Sequence, residues 1–91
     1  YLWANNNQLT GYTAGSFTTM AALQRLDLSF NNLVSGAINQ IISDLYDNYE
    51  ANPRTGVTIN LAGNDSPDAT AAERISFLAS NGWSIITSWQ D

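Results

Sequence analysis

Leu23-Gln24-Arg25-Leu26-Asp27-Leu28-Ser29-Phe30-Asn31-Asn32-Leu33 is the stretch that decides how this chain folds. Counting from Asn31, apolar residues stand three and five positions before it (Leu28, Leu26) and two after it (Leu33). The same offsets from Asn7 reach Ala4, Leu2 and Leu9; from Asn64 they reach Leu61, Ile59 and Ser66, the last a polar replacement. Apolar and polar residues alternate before each asparagine, which is a strand pattern because successive strand side chains point to opposite faces. Self-similarity at a spacing of about 20–50 residues marks a stacked array of units that bury their apolar faces against one another. The intervals are unequal, 24 residues from Asn7 to Asn31 and 33 from Asn31 to Asn64.

Leu23 to Leu33 fits the pattern L-x-x-L-x-L-x-x-N-x-L without a mismatch. Asn7-Gln8-Leu9-Thr10-Gly11 and the run Leu26 to Leu33 also match wording common in extracellular repeats of this type. On these residues the chain resembles the leucine-rich repeat family over most of its length, and its first interval lies within that family's range of about 20–29 residues. The resemblance implies an α/β fold: a short right-handed leucine-rich-repeat solenoid with parallel strands on the concave side and two convex helices. It also implies a structural role for Asn7, Asn31 and Asn64, whose side chains would bond the turns leaving the strands and stack into a ladder. A single domain over 1–91 is expected, with two regular repeats over 1–33, a repeat with a helical insertion over 34–66, and a C-terminal helix–strand cap over 67–91. The chain opens at Tyr1 inside a repeat, so further repeats are expected before it.

The alternation predicts strands over 1–5, 25–29, 56–61 and 83–89, with Leu26, Leu28, Val57, Ile59, Leu61, Trp83 and Ile85 inward. Aligning Gly82 with Gly56 sets Trp83 and Ile85 in the places of Val57 and Ile59. Between the first two strands, Gly11 and Gly15 permit tight turns, and Phe17 and Met20 are expected to fill the core. The longer second interval carries Ala37, Ile38, Ile41, Ile42, Leu45, Tyr46 and Tyr49 at three- and four-residue steps, which predicts a helix over roughly 37–50. Ser35 is its expected N-cap and Asn52-Pro53 its stop, with Asp44, Asp47 and Glu50 on the solvated side. A second helix is expected over roughly 67–80, with Ser66 as cap, Pro67 in the first turn, Asp68 near the positive end, and Ile75, Leu78, Ala79 and Ala71 or Ala72 buried. Asn81-Gly82 would end it.

Composition narrows the function. With 91 residues the chain forms one small domain that buries about 60–70% of its unfolded surface. A net charge of −5, from three arginines, no lysine and eight carboxylates, argues against nucleic acid, whose binding needs a dense cationic surface. Without Cys there is neither a disulfide framework nor a thiolate metal site, and without His or Cys the Ser–His and Cys–His nucleophile systems are unavailable. The run Asp65-Ser66-Pro67-Asp68 lacks the alternating oxygen ligands of a calcium loop, and helix capping explains its acids. No enzyme activity, cofactor or metal is expected, nor any membrane insertion, since no run of 18 apolar residues occurs. A surface solvated by Asn, Ser and Thr suits an extracellular, cell-surface or virion location.

Function is therefore expected on the outward strand positions. One column across the repeats is Tyr1, Arg25, Thr58, Ser84; the next is Trp3, Asp27, Asn60, Ile86; a third, leading into the turns, is Asn6, Phe30, Gly63, Trp89. Aromatic side chains beside polar groups form binding patches because they bring large contact area at low entropic cost. The candidate binding residues are Tyr1, Trp3, Arg25, Asp27, Phe30, Thr58, Asn60 and Trp89, with Arg25 and Asp27 placed to pair. Tyr1 and Trp3 have a second reading, packing against a preceding repeat or a neighbouring chain. Two functions follow. The first is a non-catalytic recognition and adhesion module, a capping repeat that binds a protein or surface glycan through the concave strand face. The second is a structural component of an assembly, such as a phage tail or fibre or another surface fibre, with Trp3, Phe30 and Trp89 between subunits.

Overall fold

The computed structural model describes residues 2–3, 23–31 and 33–89, the first pair as backbone only. The expectations on Tyr1, Asn6, Asn7, Gly11, Gly15, Phe17 and Met20, and on the side chain of Trp3, lie outside these residues. The chain is α/β. Among the described residues four short strands, β1 (Leu2–Trp3), β2 (Arg25–Asp27), β3 (Thr58–Asn60) and β4 (Ser84–Ile86), form one parallel sheet in the order β1-β2-β3-β4. Helix α1 (Ser35–Ala51) joins β2 to β3, and α2 (Ala69–Ser80) joins β3 to β4. The register pairs Leu2 with Leu26, Leu26 with Ile59 and Ile59 with Ile85. It therefore keeps Asn31 and Asn64 equivalent, and it matches the alignment of Gly56 with Gly82.

The strands are shorter than the alternation predicts, yet their pairing runs on past their ends. Leu28 N–H donates to Asn60 O (2.9 Å), Phe30 N–H to Ala62 O (2.8 Å), Leu61 N–H to Ile86 O (2.9 Å) and Gly63 N–H to Ser88 O (2.8 Å). A side-chain device turns the chain at the ends of β2 and β3. Asp27 Oδ1 accepts from Ser29 N–H (3.0 Å), and Asn60 Oδ1 accepts from Ala62 N–H (3.1 Å). Such bonds to the backbone two residues on compete with extended structure and favour a turn.

Both helices pack on one face of the sheet. Leu26 and Ile59 from the strands, Ile38, Ile41, Ile42 and Leu45 from α1, and Leu78 from α2 share a single core with Val57, Leu61 and Trp83. Burying each such aliphatic side chain stabilises by about 1.5–3 kcal/mol. Ile75 and Ile85 are half-buried at its edge, whereas Ala79 is exposed, against expectation. The helical stripe ends its apolar run at Asn48, which continues the row of Ala37, Ile41 and Asp44 and is fully buried.

Three expectations about the helices are corrected. Asp44 was assigned to the solvated side, but it is only 3% exposed and accepts from Gln40 Nε2 (3.2 Å). It lies in the row between Ile41 and Asn48, a flank of the stripe that the rest of the fold covers. Val34, not Ser35, occupies the N-cap of α1, with no side-chain cap bond, because the Ser35 hydroxyl donates instead to Ser66 O (2.5 Å). Asp68, not Ser66, caps α2 and accepts from Ala71 N–H (2.9 Å), so Pro67 precedes the helix rather than starting it. Asn52 and Asn81 are the C-caps, and Gly82, at φ +91°, takes the left-handed conformation that follows many helices.

Candidate functional site

The sheet face opposite the helices is the candidate site. The register aligns Arg25, Thr58 and Ser84 in one row and Trp3, Asp27, Asn60 and Ile86 in the next. Arg25, Ser84 and Ile86 are exposed, while Asp27, Thr58 and Asn60 are half-buried. These side chains alternate with the buried Leu26 and Ile59 and the half-buried Ile85, so the strand period itself turns them away from the helices. The face is mainly neutral and hydrogen-bonding, with the Arg25 cation and Asp27 on one strand.

Asp27 and Asn60 do double duty. The Asp27 carboxylate also accepts from the Ser29 hydroxyl (2.6 Å), so one of its oxygens is committed to the turn by two bonds. The Asn60 carbonyl oxygen is committed in the same way by Ala62 N–H. A ligand therefore meets the remaining edge of each group, held in a fixed orientation.

At the end of the strands Phe30 is 60% exposed with φ +55°, a left-handed conformation unusual for a bulky residue. Gly63, one repeat later, adopts φ +77°. The Phe30 ring lies over it so closely that a Cβ on Gly63 would stand 2.5 Å from Phe30 Cδ1. Trp89, expected beside Phe30 as a binding residue, is instead half-buried and packs against the core.

The asparagines lie inside. Asn31 is buried and its Nδ2 donates to Leu28 O (2.9 Å). Asn64 is fully buried; its Nδ2 donates to Leu28 O (2.9 Å) and Leu61 O (3.1 Å), and its Oδ1 accepts from Leu33 N–H (3.2 Å). Asn64 thus bonds its own turn and that of the preceding copy.

Sequence reasoning passed over Arg54. Its Nη2 and Nε donate to Leu23 O (2.8 and 3.3 Å), and its Nη1 donates to Asn48 Oδ1 (2.8 Å) and Asn52 O (2.9 Å). Its guanidinium stands 5.4 Å over the Trp83 ring, and the Trp83 indole N–H donates back to Arg54 O (3.0 Å). The available signal was Asn48, a polar residue inside an apolar stripe, which needs an internal partner. Among the described residues no buried side-chain nitrogen or oxygen lacks a partner, and no three acids converge as a metal site would require. No helix among the described residues is long and apolar enough to cross a membrane.

Comparison with known proteins agrees with this geometry. No curated protein and no solved structure gives a significant match. Residues 22–47 match the family model described as Leucine Rich Repeat, a motif that serves in general as a non-enzymatic scaffold for protein interaction. The matched segment contains β2, the buried Asn31 and most of the apolar stripe of α1, and over these residues the chain is similar to the leucine-rich repeat family.

Proposed function

We propose that the chain is a non-catalytic recognition module that binds a protein through the open face of its parallel sheet. The observation that carries this reading is the row of Arg25, Thr58 and Ser84 beside Asp27, Asn60 and Ile86, turned away from both helices. The pattern of one cation, hydroxyls, an amide and an exposed Ile offers hydrogen bonds around an apolar contact, the mixture found at protein interfaces. Phe30, exposed at the strand end, extends the patch with an aromatic anchor. In this reading the strands line the concave side of a right-handed solenoid and the helices its convex side. A surface glycan would meet the same hydroxyl and amide rows. The module would work outside the cell, at a cell surface or on a virion.

Site-specific photocrosslinking tests the proposal. A photoreactive phenylalanine at Thr58 in the full-length protein should give a discrete protein adduct that Arg25→Glu abolishes, while the same probe at Ala79, exposed on the far side of α2, should give none. Equal adducts from both positions, or none from Thr58, would refute it. A second reading, a subunit contact in a fibre or virion-type assembly, is favoured by the exposure of Phe30 and Ile86 together. It would appear in the same experiment as an adduct with another copy of the chain.

A further inference from the structure

A second surface feature lies on the opposite side of the molecule and is independent of the strand face. An open groove of about 380 Å³ runs between α1 and α2, lined by Tyr46, Thr70, Glu73, Arg74 and Phe77. Residues 70, 73, 74 and 77 fall on one side of α2 at helical spacing, and Tyr46 closes the groove from α1. The Tyr46 and Phe77 rings meet at 5.3 Å and 59°, and Phe77 remains 39% exposed. The exposed surface that Phe77 leaves beside this contact accepts either an apolar group or a cation.

Charge decides between them. Glu73 is exposed in the groove wall, and Asp47 and Glu50 are exposed next to Tyr46 on α1. Tyr46 senses this field: its pKa is raised above the ordinary 10.0, first by its hydrogen bond to Glu50 and then by that carboxylate's charge, with burial and Asp47 adding and Arg74 opposing. Arg74, the cation in the groove's lining, stands 5.0 Å over the Tyr46 ring while its Nη1 donates to Ser43 Oγ (3.1 Å). The groove thus already holds a guanidinium on an aromatic face, with Glu73 in the wall beside it and Glu50 hydrogen-bonded to Tyr46.

We infer that this groove is a binding site for a cationic side chain, an arginine or lysine of a basic peptide segment, seated on Phe77 and Tyr46 and neutralised by Glu73 and Glu50. Arg74 is then an internal competitor for the same surface, and the proposal has a sign pattern that a purely structural role lacks. Removing Glu73 weakens binding, whereas removing Arg74 strengthens it.

The test is an NMR titration of the whole chain with acetyl-Gly-Arg-Arg-Gly-amide, the matching citrulline peptide and maltotriose. The arginine peptide is expected to move the Phe77 and Tyr46 ring signals saturably. Glu73→Gln should weaken it by roughly 2- to 5-fold and Arg74→Gln should tighten it by a similar factor, the size of an exposed cation–π or ion-pair interaction. Should Arg74→Gln fail to fold, Glu73→Gln and Phe77→Leu decide, both expected to weaken binding. Equal affinity for the citrulline peptide, saturable shifts from maltotriose alone, shifts scattered over the acidic surface, or no binding would each overturn the inference. None of these outcomes bears on the strand face, so it stands or falls separately.

Discussion

Replacing Asn64 by alanine separates a load inside the fold from the ordinary cost of losing a polar residue. The side chain is fully buried and serves Leu28 O, Leu61 O and Leu33 N–H. Leu28 O keeps a second donor in Asn31, so the loss there is partial. Leu61 O and Leu33 N–H lose the bonds that Asn64 gave them, and an unmet buried backbone group costs about 1–3 kcal/mol. Two such groups give about 2–6 kcal/mol before any cavity term, against a total stability of about 5–15 kcal/mol for a domain of this kind. At about 4–8 °C per kcal/mol for 60–100 residues, the melting midpoint should fall by at least about 8 °C. Asn64→Asp should be no better, because it keeps an acceptor for Leu33 N–H but turns a carboxylate oxygen toward two carbonyls. Urea unfolding gives the stability, and hydrogen exchange at the Leu33 amide gives the location, since its protection should drop more than that of the α1 amides. A stability within about 0.5 kcal/mol of the parent, the usual range of surface substitutions, would refute this account of the buried asparagine.

Gly63→Ala should destabilise by about 1–2 kcal/mol, because its φ of +77° disfavours a side chain and its new Cβ meets the Phe30 ring. Adding Phe30→Ala should recover only the steric part, which a double-mutant cycle followed by urea unfolding would measure; full additivity would contradict the contact. Arg54→Lys should cost more than about 1 kcal/mol, since an ammonium cannot span Leu23 O, Asn48 and Asn52 O together, and a change in Trp83 fluorescence should accompany it. An unaltered melting curve would show that the guanidinium geometry is not needed. For pH, the Tyr46 hydroxyl holds its proton more tightly folded than unfolded, chiefly through Glu50. Its contribution to stability is therefore complete below pH 10 and is lost as pH rises through the raised value. Glu50→Gln should lower the Tyr46 midpoint in an ultraviolet absorbance titration, and an unchanged midpoint would argue against that bond.

The parts of the fold legible in the sequence were those set by repetition. The offsets around Asn31 and Asn64 placed Leu26 opposite Ile59, and the three- and four-residue steps from Ala37 to Leu45 placed α1, because both periodicities follow from backbone geometry alone. What periodicity does not contain is competition for a group. Ser35 has the side chain of an N-cap, but the carbonyl of Ser66, distant in sequence, takes its hydroxyl. Asp44 looks like one more helical acid, and only the covering of its flank makes it interior. The open face was legible by row, since strand alternation fixes the direction of each side chain. Its chemistry was less so: that Asp27 and Asn60 are partly spent on turns depends on local bonds that spacing does not encode. The groove between the helices escaped notice because Tyr46 and Phe77 belong to different elements, whose juxtaposition is a property of packing.

Arg54 has a consequence for how such an array can change. One side chain grips the start of the second copy at Leu23, the last turns of α1 at Asn48 and Asn52, and the ring of Trp83 where β4 begins. Repeat proteins are commonly lengthened by inserting copies, a step that requires each junction to be interchangeable with the next. Here the stretch from Leu23 to Trp83 is riveted across three successive copies, so a unit inserted within it would separate the groups that Arg54 holds. Growth or recombination of this array is therefore confined to positions outside that stretch.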